Sequence, residues 1–448
     1  MIFTEDFFNP NSLYPAYELV QLIDSYTHEN VNYKKFIPSI STTDDGIVYR
    51  KKGNDFYVDI NFLTEKKLNI LRFGAIGDNA TDNTVAIGKA LNFCRNYGKA
   101  ITLFFPNGVY KFYDIGNIAI KDLTIKGESF RGVILKCLKE GIALNINAFE
   151  NATNQTPFCQ NMNLENLVIE GQQNTTVLIY VQGLARCNWE NVAVREANKN
   201  EGIGFYLKGV QLSNFKNLQC SIDIDSMSNV PYQGLKIEYG HRNNIGVGNS
   251  SNNSFYDAKM EGLYFGINIV AGDQNVFYTG TSESCRNYGV MVGENCRYNT
   301  FIGTGFENPA AIADILDYGI HTIYMNCYAS KKAWFQGMGA TIIGGYWQEI
   351  QIDSSAVTTK IENITLRYFT PPSPSTGIID NGKMTTIQNV KDIILNEFIP
   401  NKYNSTVFLS STQRPQNNSV GSMIFDTTIS KPIWWNGNNW IDATGNIV

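Results

Sequence analysis

Three glutamates stand six residues beyond three phenylalanines: Glu261 after Phe255, Glu283 after Phe277, and Glu307 after Phe301. The phenylalanines close the triplets Asn253-Ser254-Phe255, Asn275-Val276-Phe277 and Asn299-Thr300-Phe301, which recur at spacings of 22 and 24. Units repeating at this period stack as coils of a solenoid. Equal register on consecutive coils makes a vertical column, with adjacent members about 5 Å apart and the outer pair about 10 Å apart. Like charges that close oppose simultaneous ionisation, most of all at the central Glu283, which has a neighbour on each side. A carboxyl that keeps its proton beside an ionised one forms the acid and the nucleophile or base of glycoside cleavage. The adjacent separation suits a retaining pair, and the outer separation lies at the wide end for an inverting pair. Asp257, Asp273 and Glu294 are alternative carboxylates nearby. The bland alternative is that each Glu caps a turn or is simply solvated.

Sugars present apolar CH faces that stack on rings. Tyr256, Tyr278, Phe306, Tyr324, Tyr328, Trp334, Tyr346 and Trp347 alternate with inward positions, and some are expected to line an external groove, with Tyr256, Tyr278, Phe306, Trp334 and Trp347 as substrate contacts and lateral packing in an oligomer as the alternative for any one. Arg286 is a candidate partner for the column or for an acidic sugar. It and Arg297 lie 11 residues apart, off the coil period, so they are not expected to stack.

These side chains need a scaffold. His321-Thr322-Ile323 continues the repeat 22 residues on, and Ala340-Thr341-Ile342 follows after 19. Looser coils precede it at Leu123-Thr-Ile-Lys-Gly, Leu164-Glu-Asn-Leu-Val-Ile-Glu-Gly, Trp189-Glu-Asn-Val-Ala-Val and Phe215-Lys-Asn-Leu. A period near 23 fits a coil of three short strands, and about 300 residues then give on the order of 13 coils. Inward Phe, Ile and Val stack as columns. Asn, more than a tenth of the chain, suits hydrogen-bonded ladders at turns.

Ahead of the repeat, Leu71 to Leu91 reads LRFGAIGDNATDNTVAIGKAL. Phe73-Gly74-Ala75 is expected to end a strand, and Gly77-Asp78-Asn79 to turn through positive φ. Thr81 or Asp82 can cap a helix with Ile87, Leu91 and Cys94 on its apolar stripe and Gly98 as its stop. A strand Ile101-Thr-Leu-Phe-Phe and the turn Pro106-Asn107-Gly108 follow. This block resembles the opening of the pectate-lyase-like superfamily, in the form FGAxGDGxTDNTxAIxxAL … FPxGxY, with Asn79 where Gly is usual. The resemblance implies an all-β fold, a right-handed single-stranded parallel β-helix, whose helix covers the open first coil. The C-terminal stretch from Phe425 to Gly445, FDTTISKPIWWNGNNWIDATG, resembles the ending of phage tail and appendage proteins, especially those of Bacteroidetes hosts.

The chain divides into an N-terminal attachment or extension module at 1–68, the β-helix at 69–368, a linker and connecting strands at 369–405 and a C-terminal hairpin module at 406–448. In the first, Tyr17 to Tyr26 has helical spacing, with Leu19, Leu22 and Ile23 on one side, and Gly46 to Asn61 is patterned as a hairpin. Pro371-Pro-Ser-Pro-Ser-Thr-Gly377 marks the exit from the solenoid. The Asn436-Gly437 turn predicts a terminal hairpin with Trp434, Trp435 and Trp440 packed inside it.

Composition narrows the classes. Net charge is −5 and no Lys/Arg block occurs, which argues against a nucleic-acid partner. No apolar run reaches the roughly 18 residues of a membrane span. The opening Met1-Ile-Phe-Thr-Glu-Asp-Phe-Phe lacks the basic and apolar regions of a signal peptide. Eight cysteines without a CxxC and three histidines fit neither a metal site nor a disulfide framework, so no cofactor is expected and the cysteines serve as small apolar residues.

Resemblance to tailspikes implies a virion tail or appendage protein that acts outside the cell on a bacterial surface polysaccharide, binding it and cleaving it as a depolymerase. It also implies a homotrimer and attachment to the virion through the N-terminal module. A non-catalytic receptor-binding or structural protein on the same scaffold is the alternative. A third is a lyase acting by β-elimination, for which Lys259 and Arg286 are the available bases, although no calcium cage of Asp and Glu accompanies them.

Overall fold

The computed structural model describes residues 2–3, 8, 19–24, 27, 30–36, 47–52, 55–150, 157–220, 230–242, 245–367, 377–393, 397–399, 407–409, 411, 414 and 423–448. The residues of the exit from Pro371 to Thr376 lie outside them.

One sheet system of 33 strands dominates the chain, parallel throughout except for the antiparallel strand Glu397–Ile399. Its strands fall on three faces. On the first face, twelve successive pairings link thirteen strands, from Lys67–Asn69 to Thr386–Gln388. One residue of each, in the same register, points inward and is buried, from Leu68 through Trp189 and Phe277 to Ile387. This is the coil number expected from the period. Five aromatic rings in the middle of the column stack: Phe215, Phe255, Phe277, Phe301 and Tyr324 have centroids 4.9, 4.5, 4.7 and 5.1 Å apart in turn. Those are interstrand distances, so strand pairing itself sets the ring stacking.

The corners have equally regular causes. Two residues after the inward position, Asn166, Asn191, Asn217, Asp257, Thr279, Gly303, Asn326, Gly344, Asn363 and Asn389 all have φ between 51° and 66°. One left-handed residue per coil turns the chain from the first face to the second, and Asn tolerates that conformation better than other residues bearing a Cβ. Their side chains form ladders: Asn191 Nδ2 donates to Asn166 Oδ1 and Asn217 Nδ2 to Asn191 Oδ1, both at 2.8 Å. A second, buried ladder lies inside the preceding corner, where Asn253 Nδ2 donates to Asn275 Oδ1 at 2.9 Å and Asn275 Nδ2 to Asn299 Oδ1 at 3.1 Å. Replacing Asn275 by Ala takes the acceptor from the Asn253 backbone amide and the side-chain donor from the Ser250 carbonyl, while Asn299 Oδ1 keeps only the Asn275 backbone amide of its two Asn275 donors. A loss of about 3 kcal/mol is expected, read as a lower denaturant midpoint at unchanged slope.

The register at one expected repeat differs by one residue. Thr300 pairs with Ile323, so Thr322-Ile323-Tyr324 occupies the position expected for His321-Thr322-Ile323. His321 is instead the left-handed corner residue. The Ala340-Thr341-Ile342 triplet stands in register as expected.

At the N-terminal end, Asn79 has φ 57°, and the helix Thr84–Tyr97 ends at left-handed Gly98. Its buried face is Ala86, Ile87, Ala90, Leu91 and Cys94, part of the same core as Leu103 and Phe105. The helix N-cap is Asn83, not the expected Thr81 or Asp82, and it makes no side-chain cap bond; Asp82 Oδ1 accepts from the Thr84 amide at 2.9 Å. Phe73-Gly74 does not end a strand. Ile70–Phe73 is a 3₁₀ turn, because Asn69 Oδ1 takes the Leu71 amide and Gly74 adopts φ 88°.

A separate five-stranded sheet precedes the solenoid. The stretch around Leu19 is not helical: Leu19–Ile23 is a strand paired antiparallel with Asn30–Phe36. Val20 and Leu22 are buried while Leu19 and Ile23 are exposed, so the operative period is two. The expected hairpin is present as Tyr49–Lys52 against Asp55–Asp59. Arg72, at the base of the solenoid, binds Asp59 at 2.5 Å, Asp24 at 3.3 Å, and the Tyr33 hydroxyl and Ile47 carbonyl at 2.9 Å. At the other end, Lys431–Trp435 and Trp440–Ile441 form the hairpin across Asn436-Gly437. Trp440 sits in its core with Ile424 and Ile433, and Trp435 packs against them. All eight cysteines are buried and free.

Candidate functional site

The three glutamates occupy one column. Glu261 pairs with Glu283 and Glu283 with Glu307, at the ends of the strands Lys259–Glu261, Thr281–Glu283 and Gly305–Glu307 on the second face. Met260, Ser282 and Phe306 between the outward positions are buried, which turns the glutamates out. Glu261 and Glu283 are half-buried and Glu307 is exposed.

This stacking is unlike the rest of the face. Lower in the solenoid, the same outward column runs Lys136, Glu170, Arg195, with Glu170 bonded to both cations. On the first face Lys126 meets Glu165 at 2.7 Å and Lys216 meets Glu190 at 2.5 Å. Opposite charges alternate there, as cross-strand energetics favour. The glutamate column places like on like, and neither Glu283 nor Glu307 has an ion pair among the described residues.

A buried polar network holds these strands from behind. Asn308, next to Glu307, donates from Nδ2 to the Ser282 carbonyl at 3.0 Å and accepts the Cys285 amide on Oδ1 at 2.7 Å. Asp314 accepts from the Asn308 amide at 3.1 Å, from Asn308 Nδ2 at 2.8 Å and from the Lys331 amide at 2.7 Å. Burial pushes the Asp314 carboxyl up to about 6, against the pull of those hydrogen bonds. The network ties the backbone on either side of Glu283 to that following Glu307.

The expected substrate contacts divide. Tyr256 and Tyr278 stack outward on the first face, centroids 4.8 Å apart and planes 6° apart, with Tyr256 40% exposed. They lie across the left-handed corner at Asp257 and Thr279 from the glutamates. Arg286 is exposed, three residues beyond Glu283. Phe306 and Trp347 do not line a groove: both are fully buried. Each is the inward residue of its strand, paired with Ser282 and Ala329 respectively, and the Trp347 indole donates to the Gly344 carbonyl at 2.9 Å. Tyr324 is likewise internal, closing the aromatic stack. Trp334 pairs with Leu316 and Gln351 on the third face, away from the column. Lys259 is held by Asp257 at 2.9 Å.

Other aromatic residues border the column instead. Tyr264, three residues past Glu261 and partly exposed, stacks on Tyr232 at 4.5 Å. Phe265 touches both rings, and Tyr288 follows it in register at 6.0 Å. Tyr328 pairs with Gly305, two residues before Glu307, at the upper end of the column, and burial and then the Glu307 carboxylate push its hydroxyl up. Tyr264, Phe265 and Tyr288 fall at the turn into the third face, where the coil repeat in sequence is weakest. The signal available was their short distance after Glu261 and Glu283.

With thirteen first-face strands stacked in parallel, one per coil, the architecture is decided. The fold is a parallel β-helix. No protein-family model matches the chain, and no curated protein matches it. Among solved structures the β-helix is similar to the ORF18 protein of Geobacillus virus E2, at 15% identity and a TM-score of 0.46, over 100% of this chain and 87% of that one. It is similar to the tailspike protein gp49 of Acinetobacter baumannii bacteriophage Fri1, a capsular polysaccharide depolymerase, at 11% identity and a TM-score of 0.49, over 90% and 76% of the two chains. It is also similar to the A-module of the mannuronan C-5 epimerase AlgE4 of Azotobacter vinelandii, at 14% identity and 0.44, over 72% and 96%. At these identities the similarity is one of fold. No group of three His, Cys, Asp or Glu that could hold a metal ion occurs among the described residues. No helix among them is long and apolar enough to cross a membrane.

Proposed function

We propose that this chain is a tailspike-like virion appendage protein that binds a bacterial surface polysaccharide and cleaves it by glycoside hydrolysis. The observation that carries the reading is the outward column of Glu261, Glu283 and Glu307, stacked like on like where opposite charges alternate lower on the same face. Glu283, flanked on both sides, is the acid, and an ionised neighbour is the nucleophile or base. Tyr264 and Tyr288 on one side and the Tyr256–Tyr278 stack across the corner offer rings to sugar faces, and Arg286 offers a cation. The N-terminal sheet serves attachment to the virion, and three copies associate as in tailspikes. The Fri1 protein is described as a depolymerase of the class proposed here.

The test is incubation of the purified protein with capsular polysaccharides of candidate hosts. New reducing ends without ultraviolet-absorbing unsaturated products are expected. Unsaturated products would replace hydrolysis by elimination. Stable binding without any new ends would leave a receptor-binding protein on the same scaffold.

A further inference from the structure

The third face carries a side-chain array that the glutamate chemistry does not use. On three consecutive coils, Tyr180 pairs with Tyr206 and Tyr206 with Lys236, while Gln182 pairs with Lys208 and Lys208 with Glu238. All six lie at outward positions, alternating with buried Val181, Leu207 and Ile237. The two tyrosine rings meet edge to face at 5.6 Å. The Lys236 ammonium lies 4.7 Å from the Tyr206 ring centre and the Lys208 ammonium 5.4 Å. Tyr206 donates to Glu238, which also pairs with Lys236 at 3.3 Å, and Tyr180 donates to Gln182 at 2.6 Å. Lys208 has no carboxylate within ion-pair distance among the described residues. The array therefore holds two ammonium groups against one carboxylate.

Its borders are built. The chain leaves the third face at Gly240 into an inserted antiparallel hairpin, Gly240–Arg242 with Ile245–Gly248. The hairpin turns back over the array, since Gln182 Nε2 donates to the His241 carbonyl. A Cβ on Gly209 would stand 2.8 Å from the Gly240 Cα, so the insertion is seated against the coil by backbone contact that only glycine permits. In the next coil of the same column, Asn268 is nine-tenths buried, and its Oδ1 has no hydrogen-bond partner.

We infer that this array is a binding site for an anionic saccharide, separate from the glutamate column. The tyrosine rings and hydroxyls suit a sugar ring, whose CH face is apolar and whose edge is polar. The ammonium groups of Lys208 and Lys236 share the single carboxylate of Glu238, so one positive charge is left over to favour a carboxylate-bearing sugar over a neutral one. The assignment does not depend on catalysis by the glutamates.

The experiment is calorimetric titration of the intact protein with oligogalacturonate, oligomannuronate and sialic acid oligomers, and with neutral maltooligosaccharides as control. Binding of at least one acidic oligomer is expected, with none for the neutral series, and the affinity should fall as salt rises. Lys208→Ala should weaken that binding about tenfold while leaving the unfolding temperature unchanged, since Lys208 makes no ion pair to lose. Tyr206→Phe, which keeps the ring, should weaken it less. The assignment is overturned if none of the three acidic oligomers binds, if maltooligosaccharides bind equally well, or if Lys208→Ala binds like the parent. These outcomes are independent of whether the protein cleaves capsule.

Discussion

Glu283→Gln is expected to lower turnover on a cleavable capsule about 10³-fold, within the range for loss of a general acid, with a small change in KM. Gln fills the same space and keeps hydrogen bonding, but it carries no transferable proton. The charges around Glu283 make the variant diagnostic in a second way. Glu283 is sandwiched between Glu261 and Glu307 in directly paired positions, and like charges at paired positions cost up to about 1 kcal/mol. An acid that holds its proton is already neutral there, as Gln is, so the variant should keep the parent's unfolding temperature while losing activity. A glutamate that merely caps a turn would show the reverse, retained activity and lower stability. Glu261→Gln and Glu307→Gln should separate the nucleophile or base from the bystander, since only one of them is needed. If all three variants cleave at the parental rate, the column has no catalytic role.

Stability should fall as pH rises from about 4 to about 6, opposite to the acid lability of most proteins. Two buried aspartates set this. Burial pushes the carboxyl of Asp314 up to about 6, and burial likewise pushes that of Asp317, bonded to the Gly319 amide, Thr322 and Tyr324, up to about 6. In that window the folded chain keeps protons that the unfolded chain has released. The unfolded state therefore binds fewer protons, and stability declines with pH. The contribution is fully present below pH 4 and lost by a little above pH 6, about 3 kcal/mol for each group and about 5 to 6 for the two. Asp317→Asn should halve the decline and raise stability at pH 8, because an amide is neutral at every pH and can still accept from Gly319 and donate toward Tyr324. The measurement is denaturant unfolding at pH 4, 5, 6, 7 and 8. A flat or rising profile would contradict it. Glu170 works in the opposite sense: despite its burial, hydrogen bonds and charge from Lys136 and Arg195 hold its carboxyl below the usual range, so its share is lost only at more acid pH.

Much of the scaffold was legible in the residues. A period set by chain length per coil survives in sequence because each coil must return to the same place, so Phe255, Phe277 and Phe301 announce both their stacking and the register of Glu261, Glu283 and Glu307. The corner asparagines and the Asn79 turn were legible for a similar reason: left-handed φ restricts residue type locally. The helix expected over Tyr17 to Tyr26 failed because a run of four apolar residues in ten satisfies either period, and the partner strand Asn30–Phe36 decided it.

The side on which a given aromatic lies was decided only by tertiary structure. Phe306 and Trp347 are aromatic like Tyr256 and Tyr288, yet the first two are core and the others border the surface. A corner that gains or loses one residue, as between Ala329 and Lys332, inverts inside and outside for everything after it. The Asn308–Asp314 network and the third-face array were invisible for a related reason. Their members come from coils 6 to 59 residues apart, through loops of unequal length, so no fixed spacing betrays them. Sequence alone determined the stacking axis and what repeats along it. Folding decided how the faces meet around that axis, because the angle and length of each turn depend on packing against the coils above and below.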